Sequence, residues 1–276
     1  MKKRTKNVIN QKSYGIYLFS LLFVLFLVVS TQTIIMKLKL FSQEPVIPVV
    51  KIAGDEPLNV SPKIVEPAVA PAIETIKPDG KIPPIVNGLA PVISTITTKE
   101  PVVFLGIDDG GNKKDFELKL MRINKVKASL FLANRFITDN PQFFTDFIGA
   151  GSLIEDHSMT HRLLRGVSYE EQKKEICNEA DLFTKEYARR PILFRPPGGS
   201  YDVTTQRAAA DCGMKAVVMW IAKANGGSMQ YQYGHSLRPG DIVLMHFRPE
   251  FAADMQAFLD AEKAAGLHTE LLEDWL

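Results

Sequence analysis

Beyond residue 100 the chain alternates short apolar runs with amphipathic ones, and that alternation admits few folds. Pro101-Val102-Val103-Phe104-Leu105-Gly106-Ile107 is almost wholly apolar, as a strand covered on both faces must be. A helical pattern follows over residues 115–123, then a strand-like ASLFL at 128–132, a helix at 141–148 and a brief strand at 152–154. Ser168-Tyr169-Glu170-Glu171 is a capping box that opens a long amphipathic helix reaching Tyr187. Strands at 191–195, 215–220 and 241–247, helices at 203–212 and 251–264, and a final strand or turn after Gly266 complete the series. Strands alternating with helices predict a parallel sheet with right-handed crossovers. The repeat count predicts an α/β fold of the distorted, incomplete (β/α)7-type barrel. An open doubly wound sheet is the alternative, but no GxGxxG follows the first strand.

The polar residues of this half of the chain gather at one place in the repeat. Asp108 and Asp109, His157 and His161, Arg195 and His246 each stand at the C-terminal end of a strand pattern. In a parallel barrel those ends converge on one face, where the chemistry sits. His157 and His161 are four residues apart, which on a helical turn places both imidazoles on one side. Neutral imidazole is a common ligand of divalent transition metals. Alone, an HxxxH is also satisfied by surface or core histidines, and Asp-Asp-Gly-Gly by a plain turn. Together, Asp109, His157 and His161 form a two-nitrogen, one-oxygen set with room for further ligands, the arrangement of a catalytic zinc rather than a structural one. Asp108 is then a spare carboxylate, free to take a proton from water. His246 is a candidate general acid, although a lone His at a strand end more often packs. Leu244, two residues earlier on the same strand face, is either core or the wall of a small acyl pocket.

Four segments carry a resemblance. Gly106-Ile107-Asp108-Asp109-Gly110, His157-Ser158-x-x-His161, Arg195-Pro196-Pro197-x-Gly199 and Leu244-x-His246 resemble, in order, motifs of the polysaccharide deacetylase family (NodB homology, carbohydrate esterase family 4). The likeness spans roughly residues 100–276. It implies the family's distorted barrel and metal-dependent removal of acetyl groups from N-acetylated sugar polymers: peptidoglycan, chitin-like chains or poly-N-acetylglucosamine. It implies one divalent ion, zinc first, with cobalt or another transition metal as alternatives, held by Asp109, His157 and His161. It assigns Asp108 as base, His246 as acid and Arg195 as the residue orienting the base. It places Gly198 where a backbone N–H supports the oxyanion, with Leu244 and Trp220 beside the substrate.

The departures are specific. The family's Thr-Phe before the paired Asp is Gly106-Ile107, and its aromatic at position 198 is Gly. The Asp-bearing stretch near a Trp is matched by Trp220, but residues 221–227 (IAKANGG) carry no carboxylate. Without that partner nothing raises the acid's pKa, so a lower optimum pH or weaker activity is expected. Residues 229–235 are an insertion able to shape a different groove. Two other functions share these residues: a glycan-binding pseudoenzyme, and an O-acetyl esterase acting on xylan-type polymers.

The N-terminal third is of another kind. Lys2, Lys3, Arg4, Lys6 and Lys12 precede a span, residues 13–36, without a single charge. As a helix that span is about 36 Å long, enough for a ~30 Å hydrocarbon core. The basic segment 1–12 is expected to stay cytoplasmic and the rest to lie outside, in a single-pass membrane protein. A cleaved signal peptide is the alternative. Residues 37–98 carry a proline every few positions, which blocks helix and sheet ladders and predicts an extended linker, with a small compact domain as the alternative. The deacetylase-like domain is then 99–276. A net charge of +2 without an arginine stripe argues against nucleic acid as partner. Cys177 and Cys212 lie in an oxidising compartment on this reading; a bridge between them and two buried thiols are both open.

Overall fold

The computed structural model describes residues 80–276. The basic segment 1–12, the anchor span 13–36 and the linker as far as residue 79 lie outside the described residues. Among those described, no helix is long and apolar enough to cross a membrane.

In chain order the elements are β1 (Val92–Ile93), β2 (Val102–Asp109), α1 (Asp115–Ile123), β3 (Ser129–Leu132), α2 (Asn134–Ile137), α3 (Thr145–Gly149), β4 (Leu153–Asp156), α4 (Tyr169–Tyr187), β5 (Leu193–Phe194), α5 (Val203–Asp211), β6 (Ala216–Val218), β7 (Ala222–Ala224), β8 (Met229–Tyr231), β9 (Ile242–His246), α6 (Phe251–Ala265) and β10 (His268–Glu270). Short 3-10 turns occupy Pro141–Phe144, Pro197–Gly199 and Leu272–Trp275. The strands form one sheet in the order β1-β6-β5-β4-β3-β2-β9-β7-β8, with β10 also on β2. Every pairing is parallel except the β7–β8 hairpin. This is a curled half-barrel rather than a closed ring. The apolar run predicted as the first strand is β2, and Val102 through Ile107 are all buried, as two covered faces require. The hairpin β7–β8, holding part of the 229–235 insertion, and the short β1 are absent from the sequence reading; strands of two or three residues carry too little periodicity to be seen.

The domain boundary at residue 99 needs correction. Residues 80–98 belong to the barrel. Val92–Ile93 pairs with Val217–Val218 of β6. Thr95 bridges Asp241 at the foot of β9, and Ile93 and Ile96 are buried. The segment fills the seam where the sheet fails to close. Proline spacing suggested an extended chain, which is correct locally; a seam strand is also extended, and tertiary contact distinguishes the two.

Cys177 of α4 and Cys212, just after α5, form a disulfide with a sequence separation of 35. Closing a loop of that size stabilises by about 4 kcal/mol on the chain-entropy account. The Cys177→Ser/Cys212→Ser double variant is expected to melt roughly 10 °C lower. A thermal scan checks this; an unchanged midpoint means the two helices are held by packing alone.

Candidate metal centre

β2 and β3 run side by side to their ends, and β4 follows in register. Asp109 therefore lies beside Leu132, and Leu132 beside Asp156, the residue before His157. β9 flanks β2 on the other side and sets His246 opposite Asp108. β5 ends one residue before Arg195, whose amide donates to the Asp156 carbonyl (3.0 Å). Four strands thus deliver the six polar residues to one rim.

Among the described residues, Asp109, His157 and His161 are the one group of three able to hold a metal ion together. Asp109 Oδ1 lies 3.1 Å from His161 Nε2 and 3.5 Å from His157 Nε2. Ligands about 2.0–2.1 Å from a tetrahedral ion lie about 3.3 Å from each other. Asp109 Oδ1 is buried yet has no hydrogen-bond partner. His157 Nδ1 is 2.6 Å from the Arg195 carbonyl; donating there leaves Nε2 as a lone pair facing Asp109. Burial alone would raise the Asp109 carboxyl, but the imidazoles facing it hold it well below the usual carboxylate range. Burial alone would lower His157, but the Asp108 and Asp109 carboxylates lift it above its ordinary value. The cluster thus draws positive charge to one point, and this donor set fits a divalent transition metal.

The two histidines do not share a helical turn. Residues 157–161 form an irregular loop in which Ser158 (φ 72°) and His161 (φ 57°) are left-handed, as is Asp109 (φ 76°). Such backbone costs about 1–2 kcal/mol per non-glycine residue, and it collects here at the candidate ligands. The imidazoles converge because the loop folds back, with the His161 amide donating to Ser158 Oγ (3.2 Å).

Asp108 Oδ1 pairs with Arg195 Nη1 at 2.6 Å, both groups being almost fully buried. Its second oxygen faces His157 Nε2 at 3.7 Å. The Arg195 guanidinium lies over the Phe131 ring, 4.1 Å from its centre, and its Nε donates to the Val218 carbonyl. Gly106 explains the first departure noted above: a Cβ there would lie 2.7 Å from Arg195 Cζ. The missing side chain is the space the guanidinium occupies. Gly198 is left-handed (φ 59°), and a Cβ on it would meet Leu163 at 3.0 Å, so an exposed Leu163 stands where the aromatic would extend. Trp220 sits farther back, with its ring 6.0 Å from the guanidinium and its edge against Gly199.

His246 borders the cluster on β9, with Leu244 buried below it on the same strand face. Its Nδ1 is buried without a hydrogen-bond partner. Burial lowers its pKa from the ordinary value, only partly opposed by Asp108 and Asp109. The buried carboxylate of α6, Asp254, is committed to Arg248 and the Gly227 amide.

Two further residues escaped the sequence reading. Glu175 and Glu179 of α4 are buried and bond the loop that carries both histidines. Burial raises the Glu179 carboxyl well above its range and that of neighbouring Asp156 to about 7. The signal was available: glutamates four apart on the stripe shared with Ile176, Ala180 and Phe183, where an amphipathic helix should carry only apolar residues.

A family model described as polysaccharide deacetylase matches residues 95–217. The chain is 36% identical over 194 residues to an uncharacterized protein of Streptomyces coelicolor, covering 68% of this chain and 78% of that one. It is 28% identical over 160 residues to a peptidoglycan-N-acetylglucosamine deacetylase of Bacillus cereus, covering 55% and 75%. Among solved structures, a family 4 carbohydrate esterase from Bacillus anthracis superposes with a TM-score of 0.56 at 21% identity, over 67% of this chain and 86% of that one. A CE4 family pseudoenzyme from the same organism superposes at 0.58 and 21%, over 67% and 68%. At such identities these two bear on the fold alone.

Proposed function

Because this chain belongs to the polysaccharide deacetylase family, we propose that it is a zinc-type hydrolase that removes acetyl groups from an N-acetylated glycan outside the cytoplasm, anchored by residues 13–36. One observation carries the reading. Asp109, His157 and His161 converge on a single point, while Asp108 beside them is left as a spare carboxylate braced by Arg195. Peptidoglycan is the favoured polymer, in keeping with the named activity of the Bacillus cereus relative.

A divalent cation held by Asp109, His157 and His161 would polarise the acetyl carbonyl and make water more acidic. Asp108 takes the proton from the attacking water, and Arg195 fixes which oxygen of Asp108 faces it. The Gly198 N–H donates to the oxygen that gains charge as the carbonyl carbon becomes tetrahedral. His246 gives its proton to the departing amine nitrogen, the C–N bond breaks, and acetate leaves. Leu244, beneath His246, offers an apolar wall to the methyl group. Trp220, behind Arg195, limits its movement.

The acid must be protonated to act, and its protonated fraction falls as pH rises through its pKa. Burial moves the His246 pKa down. The alkaline limb of the kcat profile is therefore expected below the ~6.5 of a free imidazole. A plateau extending through pH 8 would remove His246 from that role.

The function is tested with the full chain on N-acetylated and O-acetylated oligosaccharides, with and without a chelator, reading acetate. Chelator-sensitive release from the N-acetylated oligomers is expected. Release from the O-acetylated set alone makes the protein an esterase; bound metal and glycan without acetate make it a binding protein.

A further inference from the structure

We propose that Glu175 and Glu179 are positioning residues. From one face of α4 they hold the 157–161 loop in the shape that aims both imidazoles, and so set the affinity for the divalent cation. The proposal rests on the reading of Asp109, His157 and His161 as its ligands.

The loop has no secondary structure, yet each of its five amides is bonded. His157 N–H reaches Glu179 Oε2 (2.9 Å) as well as the Leu132 carbonyl (3.1 Å). Ser158 N–H donates to Asp156 Oδ1 (3.0 Å). Met159 N–H donates to the Glu175 carbonyl (3.1 Å). Thr160 N–H donates to Glu175 Oε2 (2.8 Å), while the Thr160 hydroxyl donates to Oε1 (2.7 Å). His161 N–H returns to Ser158 Oγ (3.2 Å). Residues Glu175 and Glu179 thus satisfy three of the five amides. The other oxygen of Glu179 accepts from the Asn134 amide (2.6 Å), which ties the turn after β3 to the same point.

Glu179 grips the loop at its first histidine and Glu175 just before its second. They are one helical turn apart, so a single rigid helix sets both ends. The loop needs this grip because two of its residues are left-handed, a conformation an unsupported chain abandons. Partners behind a ligand commonly set metal affinity in this way, by about 10–100-fold. Buried glutamates on an apolar stripe have no packing rationale of their own. Their acceptor oxygens supply one.

Truncation to Ala separates these contacts from the rest of the helix. The Glu179 oxygens accept from the Asn134 and His157 amides, and Glu179→Ala removes both acceptors. One partner of Glu175 is a hydroxyl, which can turn and accept, so Glu175→Gln keeps its contacts and Glu175→Ala loses them.

The test is a Zn²⁺ titration of the full chain in competition with a chromophoric chelator, with a thermal scan of each metal-free variant. Glu179→Ala and Glu175→Ala are expected to weaken Zn²⁺ binding by about 10–100-fold, with Glu175→Gln close to the parent. Cys177→Ser/Cys212→Ser loosens the same helix without touching the loop and is expected to melt lower but bind Zn²⁺ as the parent does. Parental affinity in Glu179→Ala and Glu175→Ala overturns the proposal. So does an equal loss in the cysteine variant, since general loosening then accounts for the effect. His157→Ala serves as the reference: if it binds Zn²⁺ like the parent, the ligand assignment itself has failed, a different result.

Discussion

Exchange of Asp108 for Asn lowers the rate of acetate release by about 10³-fold while Zn²⁺ still binds. Asn has the same outline but cannot take a proton from water, and Asp109, His157 and His161 are untouched. Stability falls as well. Arg195 is fully buried and its guanidinium is paired with Asp108; a neutral partner leaves that charge uncompensated, at a cost of about 3 kcal/mol. Steady-state rates, a Zn²⁺ titration and a thermal scan on the one variant separate the three effects. Activity within tenfold of the parent would mean that another group removes the proton.

Gly106→Thr restores the residue usual in the family, and here it is expected to damage the protein. Any Cβ at this position lies 2.5 Å from Arg195 Nη2, closer than real atoms approach. The guanidinium must then leave its place over the Phe131 ring and release Asp108. Breaking a buried ion pair by displacement costs about 3–5 kcal/mol, and the base loses its orientation with it. Gly106→Ala meets the same collision with a smaller group. Both variants are expected to melt well below the parent and to release acetate at least about 10²-fold more slowly. A Gly106→Thr protein with parental stability and rate would show that Arg195 has another resting place and that the glycine is incidental.

The long helix shows how local signals survive folding. Ser168 caps α4 by accepting from the Glu171 amide, and the helix ends at Tyr187 as its pattern requires. The buried strand 102–109 and the last helix are equally visible, because each carries a period that burial imposes on sequence. The candidate ligands were legible through their position in the repeat. What periodicity could not convey was pairing at a distance. β1 is two residues long, and what makes it a strand is β6 alongside it. The linker reading of residues 80–98 failed for the same reason. The shape of the His157 loop differs because four-residue spacing implies a helical turn only where the backbone is helical; here the loop amides donate to glutamates of α4, and two of its residues are left-handed.

The chain's own order of residues determined the α/β class, the alternation of strand and helix, and the identity of six polar groups at strand ends, since each of these is a local pattern with a local cause. Tertiary structure alone decided how near those groups come, which carboxylate is braced by arginine, why residue 106 has no side chain, and which glutamates hold the loop. These depend on distances between segments far apart in the chain, and such distances are set by the register of neighbouring strands and by the packing of α4 against the barrel.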